Sequence, residues 1–228
     1  MECPGIAVCA RGLTVRGMRG PVFEEIDVDV GAGGLFVAHG PTGSGRTALL
    51  LTLAGRMRFE AGTLRVDDHT LPRDGHAARE RIALARVDGA YELEPRLRVR
   101  ELIAERLWAA SPANEARVDD ALAFVGSNVD KRKNVEELAS AEAILLGLGL
   151  ALAERPGAIV VDAVDRGCTP DETERVWNGL QLVRSTGCTV LASATWPGPV
   201  SDVIDVALPR FSADRMAPTV GSADHDRV

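Results

Sequence analysis

Apolar positions along the chain fall into two regimes. Over the first third they come in short runs divided by glycine-rich turns: residues 12–16, residues 22–30 with Asp27 and Asp29 on the polar side of the alternation, then Gly31-Ala32-Gly33-Gly34. A period of two broken by turn residues predicts antiparallel strands. Leu35-Phe36-Val37-Ala38-His39 has no polar interruption and predicts a buried strand, and residues 47–57 follow with apolar residues at helical spacing. After the turn Glu60-Ala61-Gly62, residues 63–66 predict another strand and Asp67-Asp68-His69 a turn.

From residue 95 to about 134 the pattern changes to two amphipathic helices, 99–110 and 115–125, separated by Ser111-Pro112. We expect a helical insert there. Alternation then resumes: a helix over 141–154, a strand over 158–161 that ends at Asp162, a helix over 171–185 and a strand over 189–194. Helices alternating with short apolar strands predict a mainly parallel sheet with covering helices. The reading is a single domain over residues 1–211, followed by a polar, flexible tail over 212–228. No internal repeat or low-complexity block interrupts it.

Composition supports this picture. The chain has 228 residues, 46% hydrophobic and 26% charged, enough for one core that needs no disulfide or metal. A formal net charge of -7 argues against a broad nucleic-acid surface, so any anion site must be local. Cys3, Cys9, Cys168 and Cys188 form no C-x-x-C pair and read as reduced, mostly buried thiols. Met1-Glu2-Cys3-Pro4-Gly5 lacks the basic segment and apolar run of a secretory signal. The apolar run over 143–153 is shorter than the roughly 20 residues a membrane span needs. A cytoplasmic protein is expected, with any membrane association through a partner.

The remaining conspicuous side chains have plain readings. His39 closes a buried strand and reads as a packed core residue, while His69, His76 and His225 fall in turns or the tail. Trp108 and Trp177 fall on helices and are expected to pack. Arg79, Arg81 and Arg86 with Arg96, Arg98 and Arg100 make a local basic cluster, read as a solvated face in preference to a contact for acidic loops of a partner.

The chemistry concentrates at Gly40-Pro41-Thr42-Gly43-Ser44-Gly45-Arg46-Thr47, next to Ala48. This is the phosphate-loop pattern G-x-x-x-x-G-K-[ST] in every position but one, with Arg46 where the pattern has lysine. Gly40, Gly43 and Gly45 let successive backbone N–H groups face phosphate oxygens, and the following helix adds its positive end. Thr47 offers a hydroxyl to a magnesium ion shared with the nucleotide. Asp162, at the end of an apolar strand, is on its own a turn residue; with the loop it becomes the second magnesium carboxylate.

The order and spacing of these pieces resemble the ATP-binding cassette of ABC transporters, up to about Pro209. Leu138-Ala139-Ser140-Ala141-Glu142 falls where that family has its L-S-G-G-Q signature, and Pro95-Arg96-Leu97-Arg98-Val99-Arg100-Glu101 resembles its L-T-V-R-E stretch. The resemblance implies an α/β fold of the P-loop NTPase type: a mainly parallel sheet, an N-terminal antiparallel β part and a helical insert. It also implies ATP and Mg2+ as cofactors. A second cassette would be a partner, in a homo- or heterodimer whose signature segment covers the ATP in trans. A separately encoded membrane subunit would hold the protein at the inner face of the plasma membrane.

The departures from the family lie on reacting side chains. Arg46 keeps a charge, but a planar guanidinium is no substitute for a compact ammonium. Ala163 stands where the family has the glutamate that activates water, a loss of about 10²- to 10⁴-fold in rate, and Asp165 is a weak candidate to replace it. Thr195 takes the position of the switch histidine, Val87-Asp88-Gly89 has no glutamine, and the region of Arg16-Gly17 has no aromatic for adenine. Two functions stay open: the ATP-binding subunit of a membrane transport system with slow hydrolysis, or a regulatory cassette acting by nucleotide occupancy alone. A phosphate-loop kinase or GTPase fits less well.

Overall fold

The computed structural model describes residues 2–18, 20–109, 115–200 and 203–209. Two sheets organise them. Strands β1 (Val8–Gly17), β2 (Gly20–Val30), β4 (Ala61–Val66) and β5 (His69–Leu71) form an antiparallel sheet in the order β2-β1-β4-β5. Strands β3 (Leu35–His39), β6 (Ile82–Arg86), β7 (Ala158–Val161), β8 (Thr189–Ala194) and β9 (Ile204–Ala207) form a parallel sheet in the order β6-β7-β8-β3-β9. The mixed α/β architecture expected from the alternation is therefore present.

Side chains on a strand alternate between faces, so each parallel strand feeds two cores. Leu35 and Val37 of β3, Ile159 and Val161 of β7, and Val190, Ala192 and Ala194 of β8 pack into one apolar cluster. That cluster includes α4 (Glu115–Phe124), α5 (Ser140–Ala153) and α6 (Pro170–Ser185). Phe36 and Ala38, Ala158 and Val160, and Leu191 pack into the other, with α1 (Arg46–Leu53) and the antiparallel sheet. Burial on both faces is why β3, β7 and β8 read as nearly unbroken apolar runs. Helix α5 runs close to the parallel sheet: a Cβ on Gly147 would lie 2.6 Å from the Ala85 carbonyl oxygen. The insert contributes α3 (Val99–Ala109), with Val99, Leu102 and Ile103 buried, and α4.

Several local expectations need correction. β1 starts at Val8, ahead of the run at 12–16, and His69 belongs to β5. α1 ends at Leu53 because Gly55, at a φ of +68°, turns the chain out of the helix. Strands β6 and β9 and the short helix α2 (Gly75–Glu80) lay in stretches with no clear period. Trp108 does not pack: it is 91% exposed, whereas Trp177 is buried. Of the four cysteines only Cys188 is buried, the others being half-buried. Arg81 and Arg86 are ion-paired with Asp67 and Asp88, so the basic cluster is not one uncompensated face. The tail at 212–228 and the break at Ser111-Pro112 lie outside the described residues.

Candidate functional site

The glycine loop leaves the carboxyl end of β3 and enters α1, where ligands of open α/β sheets bind. Its shape depends on glycine. Gly40, Gly43 and Gly45 have φ values of +148°, +81° and +93°. A Cβ on Gly40 would lie 2.3 Å from the Leu208 carbonyl oxygen, and one on Gly45 2.7 Å from that of Val22. Both conformation and crowding exclude a side chain.

Polar groups at this loop lack partners. Gly45, as N-cap of α1, has no side chain to satisfy the first helical N–H groups, and the first turn holds no acid. Ser44 is 1% exposed with its Oγ unbonded, and Arg46 Nη1 is buried and likewise unbonded. A buried donor left without an acceptor costs about 1–3 kcal/mol, so the loop is built for an anion. A phosphate suits these groups, since it can accept from helical N–H groups, a hydroxyl and a guanidinium together.

Thr47 Oγ1 donates to Asp162 Oδ2 at 2.6 Å, joining the first turn of α1 to the residue after β7. Asp162 is 1% exposed, and its Oδ1 accepts from Ser193 Oγ of β8. The same serine oxygen accepts from the Ala163 amide at 2.9 Å. Parallel pairing of Val161 with Ala192 sets the next residues, Asp162 and Ser193, beside each other. One hydroxyl thus orients the carboxylate and the strand end that carries it. A hard divalent cation with oxygen ligands is what Thr47 and Asp162 together suit.

Beyond this pair most polar side chains are bonded to neighbours. Ala163 has a φ of +52° and is 5% exposed. Asp165 Oδ2 accepts from the Thr195 amide at 2.8 Å and from the Thr195 hydroxyl, while Asp165 Oδ1 is buried and unbonded. Asp88 accepts from Arg86 Nη2 at 3.4 Å and from Arg166 Nη1. His39 is a polar contact rather than the packed core residue expected: its Nε2 lies 2.8 Å from Asp205 Oδ2 of β9. Arg16 is paired with Glu24 at 2.7 Å.

Thr47 and Asp162 meet in a hydrogen bond, Ala163 follows Asp162, and Thr195 follows the end of β8, where Ala194 pairs with His39 just ahead of the loop. Leu138–Glu142 stand apart. They open α5, with the Ala139 amide donating to Glu142 Oε2 at 3.0 Å and Ser140 Oγ close to Gly167, and no hydrogen bond links them to the loop among the described residues. Sequence reasoning missed Ser193. The signal was available: a serine in the wholly buried strand Thr189–Ala194 must have a hydrogen-bond partner.

Comparison with known proteins places this site in context. The ABC transporter family profile matches residues 23–164. The Nod factor export ATP-binding protein I of Paraburkholderia xenovorans is 30% identical over 173 residues, covering 75% of this chain and 56% of that protein. The daunorubicin resistance ATP-binding protein DrrA3 of Streptomyces coeruleorubidus is 27% identical over 76% of this chain and 55% of its own length. The chain thus spans little more than half the length of these curated relatives. An ABC transporter ATP-binding protein from Pyrococcus furiosus, described as putative, superposes with a TM-score of 0.72 at 20% identity, covering 89% of this chain and 97% of that one. A dimeric bacterial ABC transporter cassette superposes with a TM-score of 0.71 at 15% identity, over 88% and 94%. On the family match, which spans more than half of its length, the chain belongs to the ABC transporter family.

Proposed function

We propose that this protein is the ATP-binding subunit of an ABC-type membrane transport system, one cassette over residues 1–211, which binds MgATP and hydrolyses it slowly. The observation that carries the reading is the phosphate loop with unsatisfied donors at Ser44 and Arg46, set against the hydrogen-bonded pair Thr47 and Asp162. Backbone N–H groups of residues 40–48 hold the phosphates, with the positive end of α1 behind them. Thr47 and Asp162 hold magnesium, which when bound neutralises phosphate charge. Ser193 keeps the Asp162 carboxylate turned toward Thr47.

The reading includes a dimer, and what supports that part is the fold shared with a solved dimeric cassette. Leu138, Ala139, Ser140, Ala141 and Glu142 of one copy would then face the loop of another. No helix among the described residues is long and apolar enough to cross a membrane. On this reading a separately encoded subunit holds the protein at the inner face of the membrane.

A second reading, a cassette that acts by occupancy without turnover, is favoured by one feature. Ala163 offers no carboxylate, and the Thr195 hydroxyl is engaged by Asp165. ATP affinity and phosphate release, measured on one preparation with Thr47→Ala and Asp162→Asn as controls, separate the two. Magnesium-dependent binding with turnover several-fold above both controls supports the transport ATPase. Binding with turnover at control level supports the occupancy reading, and no binding at all overturns both.

A further inference from the structure

The chain leaving α1 and the segment around α2 line a half-open surface pocket of 540 Å³, with Arg56, Arg58 and Arg79 exposed at it. It sits at the carboxyl end of α1, which at 1.5 Å per residue is roughly 12 Å along the helix from the phosphate loop. Arg56, Arg58 and Arg79 line it, and among the described residues no carboxylate does. In a chain of net charge -7 that needs explaining.

The neighbouring acids are turned to other partners. Asp74 accepts from Arg73 and from the Thr70 amide, Glu80 faces His76, and Asp67 pairs with Arg81. Glu60 lines a separate pocket with Thr14 and Arg16. The arginines have only neutral acceptors. Arg56 Nη2 donates to the Ile82 carbonyl at 3.2 Å and Arg79 Nη1 to that of Gly55 at 3.1 Å. Arg79 is seated there by glycine, because a Cβ on Gly75 would come within 3.3 Å of its Nη1. Arg58 has no hydrogen bond or ion pair with any described residue. Burial and then the charge of Arg79 hold the Arg56 guanidinium below its ordinary pKa, so the like charges interact.

We propose that this pocket binds a phosphate group carried on an apolar body, with Arg56, Arg58 and Arg79 around the phosphate. Guanidinium donors match phosphate oxygens in pairs, and three cations without a counter-charge among the described residues offer sites for a dianion. A bare phosphate would leave most of the space empty, since cavities of about 300–1,000 Å³ take whole organic ligands. Phe59, Met57 and Pro72 provide the apolar wall for the remainder. The same chemistry has two sources, a soluble phosphomonoester or a lipid headgroup.

The test uses the full chain with saturating ATP and magnesium, which occupy the phosphate loop. One arm titrates phenyl phosphate calorimetrically; the other floats the protein with vesicles of phosphatidic acid in phosphatidylcholine, against phosphatidylcholine alone. Arg58→Gln and Arg58→Glu are the variants, because Arg58 is exposed and unbonded and its loss leaves the fold intact. Binding in either arm that weakens at least tenfold in Arg58→Gln and disappears in Arg58→Glu supports the site and identifies the source. Failure of both probes with the unmodified protein, or equal binding by Arg58→Glu, overturns it.

Discussion

Replacing Ser193 by alanine removes one oxygen between β7 and β8 and leaves every backbone element in place. That oxygen donates to Asp162 Oδ1 and accepts from the Ala163 amide at 2.9 Å, and the serine is 0% exposed. A hydrogen bond to a charged group contributes about 1.5–3 kcal/mol and a neutral one about 0.5–1.5 kcal/mol. Water cannot take over, because Asp162 is itself 1% exposed. The two losses sum to roughly 3 kcal/mol. At roughly 2–4 °C per kcal/mol for a chain of this size, thermal unfolding followed by circular dichroism should fall by about 6–12 °C. A carboxylate held by one donor instead of two is also a less oriented magnesium ligand, so magnesium-dependent ATP affinity should drop about tenfold or more. A shift below about 2 °C with unchanged affinity would refute the reasoning. Lost stability with intact affinity would show that Ser193 supports the strands and not the ligand.

Trp177→Ala should cost about 3–5 kcal/mol in urea unfolding, because the ring is 1% exposed and its edge fills the space over Gly198; the same change at Trp196, 42% exposed, should cost far less. The Cys3 thiol is held below the ordinary thiol pKa, chiefly by a hydrogen bond with Cys188, then by Thr186 and the charge of Arg155 against the opposing effect of burial, while Cys188 is pushed up. A depressed folded-state pKa gives stability that is full above the unfolded thiol pKa and is lost as pH falls through the folded one. At neutral pH, iodoacetamide should therefore alkylate Cys3 faster in the folded protein than in the urea-unfolded chain, and equal rates would refute the shift.

How much of this was legible in the sequence depended on whether a signal was local. Strands β3, β7 and β8 announced themselves because burial on both faces leaves apolar runs, and the loop because three glycines sit where only glycine fits. β9 did not, since Ile204 and Asp205 are exposed on an edge strand whose pairing with β3 is its main constraint. Trp108 misled because a large apolar residue on a helix ordinarily faces a core, and here it does not. The links between Asp162 and Ser193 and between Asp165 and Thr195 span 31 and 30 residues and arise from the placement of adjacent strand ends, which no local pattern encodes. The uncompensated Arg56, Arg58 and Arg79 were likewise invisible, because a basic residue in sequence does not say whether an acid faces it in space.

The described site offers backbone N–H groups, the Ser44 and Thr47 hydroxyls and the Asp162 carboxylate, while Ala163 has no polar side chain and the Thr195 hydroxyl is bonded to Asp165. On the proposed reading this has a consequence for which nucleotide binds. Backbone N–H groups, Ser44, Arg46 and Thr47 belong to the loop itself and on this reading would serve phosphates that ADP and ATP share. The position of the switch histidine is taken by Thr195, whose hydroxyl and amide both donate to Asp165. To serve an added phosphate, that hydroxyl must leave a carboxylate, exchanging one charged acceptor for another with little gain. Asp165 has no cation paired with it among the described residues, so it repels added negative charge, whereas Asp88 is neutralised by Arg86 and Arg166. The terminal phosphate should therefore add little, and ADP and ATP should bind with magnesium to the monomer within about threefold of each other. Asp165→Asn removes the repulsion and should shift the balance toward ATP. An ATP preference above about tenfold in the unmodified protein would mean that another group, supplied by a second copy or a moved side chain, reaches the terminal phosphate.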